Sequence, residues 1–214
     1  MVKDGFISLL DKEDRTGAVQ FALSALERKE VDVIELFEKV LAPSLNEMEC
    51  TGSPEDRILK EHVRSSIVRT VLESCQPYVI ERRRELHGDD KGPVIVVACP
   101  EEEYHDIGAR MVADLFYIAG FEPVFLGAHT PREVVSTAMV HYSSRFLAIS
   151  VSNYYHLSYA RSMIDEVRRS CGRGITVIAG GNAFKDNEGA VKKVGADMIA
   201  KDHADISSVR KGVG

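Results

Sequence analysis

Tryptophan is absent from these 214 residues, and so is any apolar run of the roughly 20 residues that a membrane-crossing helix needs. Excess positive charge is missing too. The 27 Lys and Arg stand against 33 Asp and Glu, for a formal charge of −6. That excludes broad non-specific binding to nucleic acid, which rests on a basic footprint. Cysteine is sparse: Cys50, Cys75, Cys99 and Cys171 lie far apart, with no CxxC pair. Neither a zinc knuckle nor a disulfide framework is indicated, and the four read as buried or incidental thiols in a reducing cytoplasm. The first residues, Met1-Val2-Lys3-Asp4-Gly5, lead into an amphipathic helix and lack a signal-peptide core, so a cytoplasmic location is expected. No residues suggest a hydrolase triad or a two-carboxylate acid–base pair, and an enzyme is not expected.

What is present is an ordinary globular composition, 44% hydrophobic and 28% charged, in two differently patterned parts. Residues 4 to about 86 show helical spacing only. Phe6, Leu9 and Leu10 share one face. Thr16 is the expected cap of a second helix carrying Val19, Leu23 and Leu26. Asp32 stands near the start of a third, with Ile34, Phe37, Val40 and Leu41 inward, and Pro43 should bend or end it. Ser53-Pro54-Glu55-Asp56 is a strong helix start: capping serine, proline at the first position, then acids that match the dipole. The fourth helix should bury Leu59, Val63, Ile67 and Val71, with an interruption at Pro77. Four such helices make a small bundle.

His87-Gly88-Asp89-Asp90-Lys91-Gly92-Pro93 has the composition of a linker, so domains are expected at 1–88 and 93–214. Beyond it, strands are predicted at 94–99, 122–126, 146–151, 175–179 and 196–200. Helices are predicted at 106–119, 132–141, 157–170, 185–193 and 204–211. Strand–helix alternation at this spacing implies a parallel sheet with helices on both faces. The expected fold class is therefore α/β: a flavodoxin-like, Rossmann-like five-stranded parallel sheet preceded by an N-terminal four-helix bundle.

In such a sheet, ligands sit at the carboxyl ends of the strands. The loop after the first strand holds Glu103-Tyr104-His105-Asp106-Ile107-Gly108. Imidazole is the commonest protein ligand for a transition metal, and a neighbouring carboxylate often orients it; Glu103 or Asp106 can serve. Gly108 at the helix start lets something bulky approach the backbone. The later loops add Gly127 and Thr130, then Ser150 and Ser152, then Gly180-Gly181, where paired glycines let a flat ligand or a long tail pass. No role is assigned to Tyr154, Tyr155 or His156. His129 reads as structural or exposed.

This pattern resembles the cobalamin-binding module of corrinoid proteins. The family's Asp-x-His-x-x-Gly stands here as Glu103-x-His105-x-x-Gly108, and its Ser-x-Leu as Ser150-x-Ser152. Gly180-Gly181 matches its Gly-Gly, Leu126 to Pro131 resembles its segment after the second strand, and Ala200-Lys201-Asp202 its closing segment. Glutamate replaces the usual aspartate, and serine the usual leucine. The resemblance implies cobalamin (adenosyl-, methyl- or hydroxocobalamin) as cofactor. It makes His105 the lower cobalt ligand in place of dimethylbenzimidazole, with the displaced tail among Ser150, Ser152, Gly180 and Gly181.

The helical part resembles the cap of cobalamin-dependent photoreceptor and regulator modules, which carry a tryptophan followed by Glu-His. Here Glu61-His62 is present, and the tryptophan position falls near Thr51. His62 is a candidate upper ligand to cobalt. The resemblance implies a sensory or regulatory protein whose cap responds to the upper ligand or to light. Output would pass through a protein partner or self-association, with no nucleic-acid domain and no membrane. Alternatives are a corrinoid methyl-carrier subunit of a methyltransferase system and a haem-binding sensor of related architecture. The N-terminal bundle argues against a mutase small subunit. Acidic Pro100-Glu101-Glu102-Glu103 argues against a flavin phosphate.

Overall fold

The computed structural model describes residues 2–47, 52–185 and 187–212. Thr51, the position matching the family's tryptophan, lies outside the described residues, as does Cys50. The chain divides into two compact units, Met1–Glu85 and Leu86–Gly214.

The first unit is helical. Helices α1 (Val2–Asp11) and α2 (Arg15–Glu27) bury Phe6, Leu10, Ala18, Ala22 and Leu26. Helix α3 (Val33–Glu35) runs through a π-helical stretch, Leu36–Leu41, into α4 (Ala42–Asn46). Asp32 caps α3 as expected, its carboxylate accepting from the Glu35 N–H. Pro43 stands inside this continuous helical run, just past the π-helical stretch, where the Ala42 N–H reaches back to the Phe37 carbonyl; a π-turn beside a proline is a usual site of helix distortion. Helix α5 (Pro54–Ser74) opens on a complete capping box, in which the Ser53 and Asp56 side chains each accept the other's backbone N–H. Pro77 lies in the first turn of α6 (Gln76–His87), just past the end of α5. The proline thus splits the expected fourth helix, and α6 is a further helix beyond the four.

Two local readings are corrected. Asp14, not Thr16, caps α2: its carboxylate accepts from the Gly17 N–H at 2.8 Å, and Thr16 is already inside the first turn. Leu59 is 62% exposed, because the buried face of α5 is set farther along, by Ile67, Val68, Val71 and Leu72. Arg64 is buried beside that face. Its guanidinium donates to the Ser44 and Glu47 carbonyls at the end of α4 and pairs with Asp11, so a cation satisfies orphan C-terminal carbonyls.

The second unit holds five parallel strands: β1 (Val94–Ala98), β2 (Glu122–Gly127), β3 (Phe146–Ser150), β4 (Thr176–Gly180) and β5 (Met198–Ile199). Their order is β2-β1-β3-β4-β5, the doubly wound flavodoxin-like order. The connections are α7 (Ile107–Ile118), α8 (Arg132–His141), α9 (Leu157–Cys171) and α10 (Glu188–Val194), and α11 (His203–Lys211) follows β5.

Side-chain alternation decides which layer each strand residue meets. Val96, Ala98, Leu147, Ile149, Val177 and Ala179 pack with α8, α9 and α10 in one buried cluster. Their alternates, including Val97, Ala148, Ser150, Ile178 and Gly180, therefore face the layer of α7 and α11, which touch each other. Ser150 and Gly180 are register partners at the carboxyl edge. The topology thus sets the serine and the first glycine side by side, at the same edge as the first turns of α7 and α11.

Candidate functional site at the carboxyl edge of the sheet

Glu103 is the centre of the site. It follows β1 and is fully buried. One carboxylate oxygen, Oε1, accepts from the His105 backbone N–H at 3.0 Å and from His105 Nδ1 at 2.7 Å. The other, Oε2, accepts from the Ser152 N–H at 2.8 Å, the Asn153 N–H at 3.1 Å and His156 Nδ1 at 3.2 Å. Burial by itself would raise the pKa of this carboxyl. The donors from Asn153, His105 and Ser152 together outweigh burial and hold it below the usual carboxylate range. The group is therefore an anion at neutral pH.

That charge fixes two tautomers. An ionised carboxylate only accepts, so Nδ1 carries the proton in both His105 and His156. In the neutral ring, Nε2 then holds a lone pair. The His105 side chain is 60% exposed, so it is accessible to solvent while its Nδ1 is held from inside. The extra methylene of Glu103, relative to aspartate, still leaves the carboxylate in contact with the histidine ring.

The surroundings of the loop are small or inert. Gly108, in the first turn of α7, is exposed, and a Cβ added there meets nothing within 4 Å. Cys99 is buried, and its thiol lies 3.9 Å from the His105 carbonyl. Burial first, then the charges of Asp106 and Glu103, push its pKa up to about 12, so it stays a thiol and offers no thiolate. Asp106 ends the loop at the N-cap of α7, and Ile107 is buried in its first turn. Tyr104 is exposed and stacks on His129 at 4.9 Å.

Gly127 ends β2 with φ +90°, at a register irregularity opposite Ala98. Thr130 is buried and donates its hydroxyl to the Gly127 carbonyl. Gly181 has φ +98°, and a Cβ there would lie 2.4 Å from the Val151 carbonyl oxygen. The sequence reserves both glycines for a ligand, but Gly181 is needed by the chain's own close approach to β3. Gly180 is looser, with its nearest neighbour the Ala200 carbonyl at 3.3 Å. Asp202 caps α11, its carboxylate accepting from the Asp205 N–H at 2.9 Å. Its side chain is thus already engaged by the helix.

The structure therefore joins His105 and the backbone of Ser152 through Glu103, and sets Ser150 beside Gly180. It places Glu61 and His62 on α5, exposed, in the other unit. Sequence reasoning missed His156 and Asn153. Nothing in the chain's order signals them, because their partner Glu103 lies 53 and 50 residues away.

The donor set fits a cobalt corrinoid: one accessible imidazole with its distal nitrogen oriented by an anion, beside open space at a glycine. Comparison with known proteins agrees. The model of the B12 binding domain family matches residues 93–207. The HTH-type transcriptional repressors CarH and CarA of Myxococcus xanthus are each 25% identical, over 167 and 166 residues. These alignments take in 78% of this chain but 53% and 54% of theirs, so the chain spans about half the length of the curated relatives it matches. Among solved structures, the monomethylamine corrinoid protein of Methanosarcina barkeri superposes with a TM-score of 0.78, covering 100% of this chain and 98% of that one at 18% identity. A cobalamin-binding protein of Desulfitobacterium hafniense DCB-2 gives 0.54, covering 100% and 99% at 18% identity. At that identity the likeness is one of fold. Among the described residues, no helix is long and apolar enough to cross a membrane. Residues 93–207 take in the whole sheet and every loop of the site, so the chain belongs to the B12 binding domain family, and its cofactor is cobalamin.

Proposed function

We propose that His105 is the lower axial ligand of the cobalt and that the protein is a regulatory module reporting the state of its cobalamin. The observation that carries the ligand role is the 2.7 Å bond from His105 Nδ1 to buried Glu103, which leaves Nε2 to bind metal. When bound, the cofactor supplies a cobalt centre with an exchangeable upper ligand. The chain's part is to hold the imidazole, keep its proton on Nδ1, and receive the displaced tail near Ser150, Ser152, Gly180 and Gly181. Tyr104, Asp106, Ile107, Gly127, Thr130 and Asp202 shape the loops around it. The similarity to two transcriptional repressors over 78% of the chain supports the regulatory role. On this reading the helical unit, about residues 1–88, responds to the upper ligand or to light. The change then reaches a protein partner or a second copy of the chain.

A second reading is a methyl carrier. It is favoured by the full-length likeness to the monomethylamine corrinoid protein, with both chains covered almost end to end. In that case the protein is a non-catalytic subunit and its partner is a methyltransferase.

The test is the visible absorption spectrum of protein mixed with adenosyl-, methyl- and hydroxocobalamin, in the dark and after illumination, for wild type and His105→Ala. A retained cobalamin whose spectrum changes in His105→Ala supports the ligand role; identical spectra overturn it. A light-driven new species with a change in oligomer size favours the regulator. Stable methylcobalamin without such a change favours the carrier.

A further inference from the structure

We propose that His129 is a positioning residue for the cobalt site. It holds, by a hydrogen bond to its ring, the segment that presents His105. The proposal rests on His105 being the lower ligand.

His129 belongs to the loop between β2 and α8, 24 positions from His105, and three contacts tie it to residues 102–104. Its ring Nδ1 accepts the Glu102 backbone N–H at 2.9 Å. Its own backbone N–H donates to the Glu103 carbonyl at 2.8 Å. Its ring stacks on Tyr104, with 11° between the planes. A backbone N–H can only donate, so Nδ1 of His129 is unprotonated and the proton sits on Nε2. This is the opposite tautomer to His105 and His156.

The segment needs such a brace. Glu102 has φ +66° and His129 φ +48°, the left-handed region that L side chains rarely adopt. The hydrogen bond from Glu102 to His129 joins these two residues directly. Glu103 follows, and its carboxylate sets the tautomer and direction of the His105 ring. Any rotation of the backbone at residue 102 is carried to that carboxylate. Backbone pairing of the two loops continues at the Thr130 N–H, which donates to the Cys99 carbonyl at 3.0 Å, so the β1–α7 and β2–α8 loops form one braced unit. Glu102 is the third residue of a turn closed by the Glu103 N–H on the Pro100 carbonyl, so its own N–H has no acceptor within the turn, and the ring of His129 supplies one.

Three substitutions separate the ring's acceptor from its stacking face. Asn accommodates the left-handed backbone and offers an oxygen close to the place of Nδ1. Phe keeps an aromatic face for Tyr104 and has no acceptor. Ala has neither. Each full-length variant is loaded with hydroxocobalamin and with methylcobalamin, well below its measured unfolding temperature. The visible spectrum gives the fraction of cobalt carrying the protein imidazole, and titration gives the Kd. His129→Phe and His129→Ala are expected to raise the Kd about tenfold and to lower the histidine-bound fraction, with His129→Asn close to wild type. A stabilising role alone would lower the unfolding temperature and leave the bound-state spectrum unchanged. That result, or a wild-type spectrum in His129→Phe, overturns the proposal. His105→Ala is measured alongside. If it leaves the spectrum unchanged, the ligand assignment fails; if it changes the spectrum while all three His129 variants match wild type, the positioning role alone fails.

Discussion

Replacing Glu103 by glutamine removes one charge and changes nothing else in size, yet it should disable both the fold's edge and the site. The carboxylate accepts five hydrogen bonds, three from backbone N–H groups and two from imidazole rings. An amide keeps one oxygen. If that oxygen faces Ser152, Asn153 and His156, the new NH2 points at the His105 N–H, donor against donor. The half-buried amide of His105 then loses its partner, at about 1 kcal/mol, and the remaining bonds fall from charge-assisted to neutral strength, at roughly 1 kcal/mol each. Relief from burying a charge offsets part of this. The net expectation is a loss of about 2–4 kcal/mol, which lowers the unfolding midpoint by roughly 5–15 °C. The effect depends on pH with a definite sign. The folded-state pKa of Glu103 is depressed, so its contribution is complete above the unfolded value, about 4.3. It is lost as pH falls through the depressed folded value. Thermal unfolding of Glu103→Gln and wild type by circular dichroism, from neutral to acidic pH, should give curves that converge in acid. In that orientation His105 Nδ1 must accept from the amide, which moves the ring proton to Nε2 and removes the lone pair that the proposed ligand role requires. The spectrum of added hydroxocobalamin should therefore resemble that of His105→Ala. A variant within 0.5 kcal/mol of wild type at pH 7 (roughly the scatter of surface substitutions) with a wild-type cobalamin spectrum would refute this account of the carboxylate.

Gly108→Ala should stabilise the cofactor-free protein by about 0.5–1 kcal/mol, since a Cβ there meets nothing, while weakening cobalamin binding. Calorimetry of the free protein and a cobalamin titration should move in opposite directions, and equal affinity would remove Gly108 from the site. Gly181→Ala combines a positive φ with a 2.4 Å approach to the Val151 carbonyl and should cost about 2–4 kcal/mol in chemical denaturation; a neutral result would mean the β3–β4 edge can rearrange freely. If His62 supplies the upper ligand, His62→Ala changes the spectrum of bound hydroxocobalamin, and superimposable spectra exclude that role.

The sheet was legible because its strands carry two signals at once, short β-branched runs and a regular return every 25 or so residues. Helices α8 and α9 were equally plain, since Val135, Ala138 and Met139, and Ala160, Met163, Ile164 and Val167, recur at helical spacing and are buried. The first half of α5 misled because its apolar residues keep the period while the packing does not: Leu59 fits the stripe drawn through Ile67 and Val71, yet it is exposed. Of the site, His105 and Glu103 were visible because they lie two positions apart. The second half of the carboxylate's partners was not. Backbone N–H groups of Ser152 and Asn153 carry no sequence signature, since every non-proline residue has one, and His156 looks like any loop histidine until the fold brings β3 beside β1. Gly181 was assigned to a ligand because glycine's freedom is the same whether a cofactor or the chain itself comes close.

The span between Glu103 and its partners has a temporal meaning. The acid leaves the ribosome some 50 residues before Ser152, Asn153 and His156 exist, a lag of several seconds at ordinary rates of synthesis. Until β3 has been made and docked against β1, the carboxylate is a solvated anion without the Oε2 donors that let its charge be buried, so nothing holds it in place against the His105 ring. On the proposed ligand role, competence to capture the cofactor therefore arrives late, as a readout of finished topology, and a half-made chain has no organised imidazole with which to seize a corrinoid prematurely.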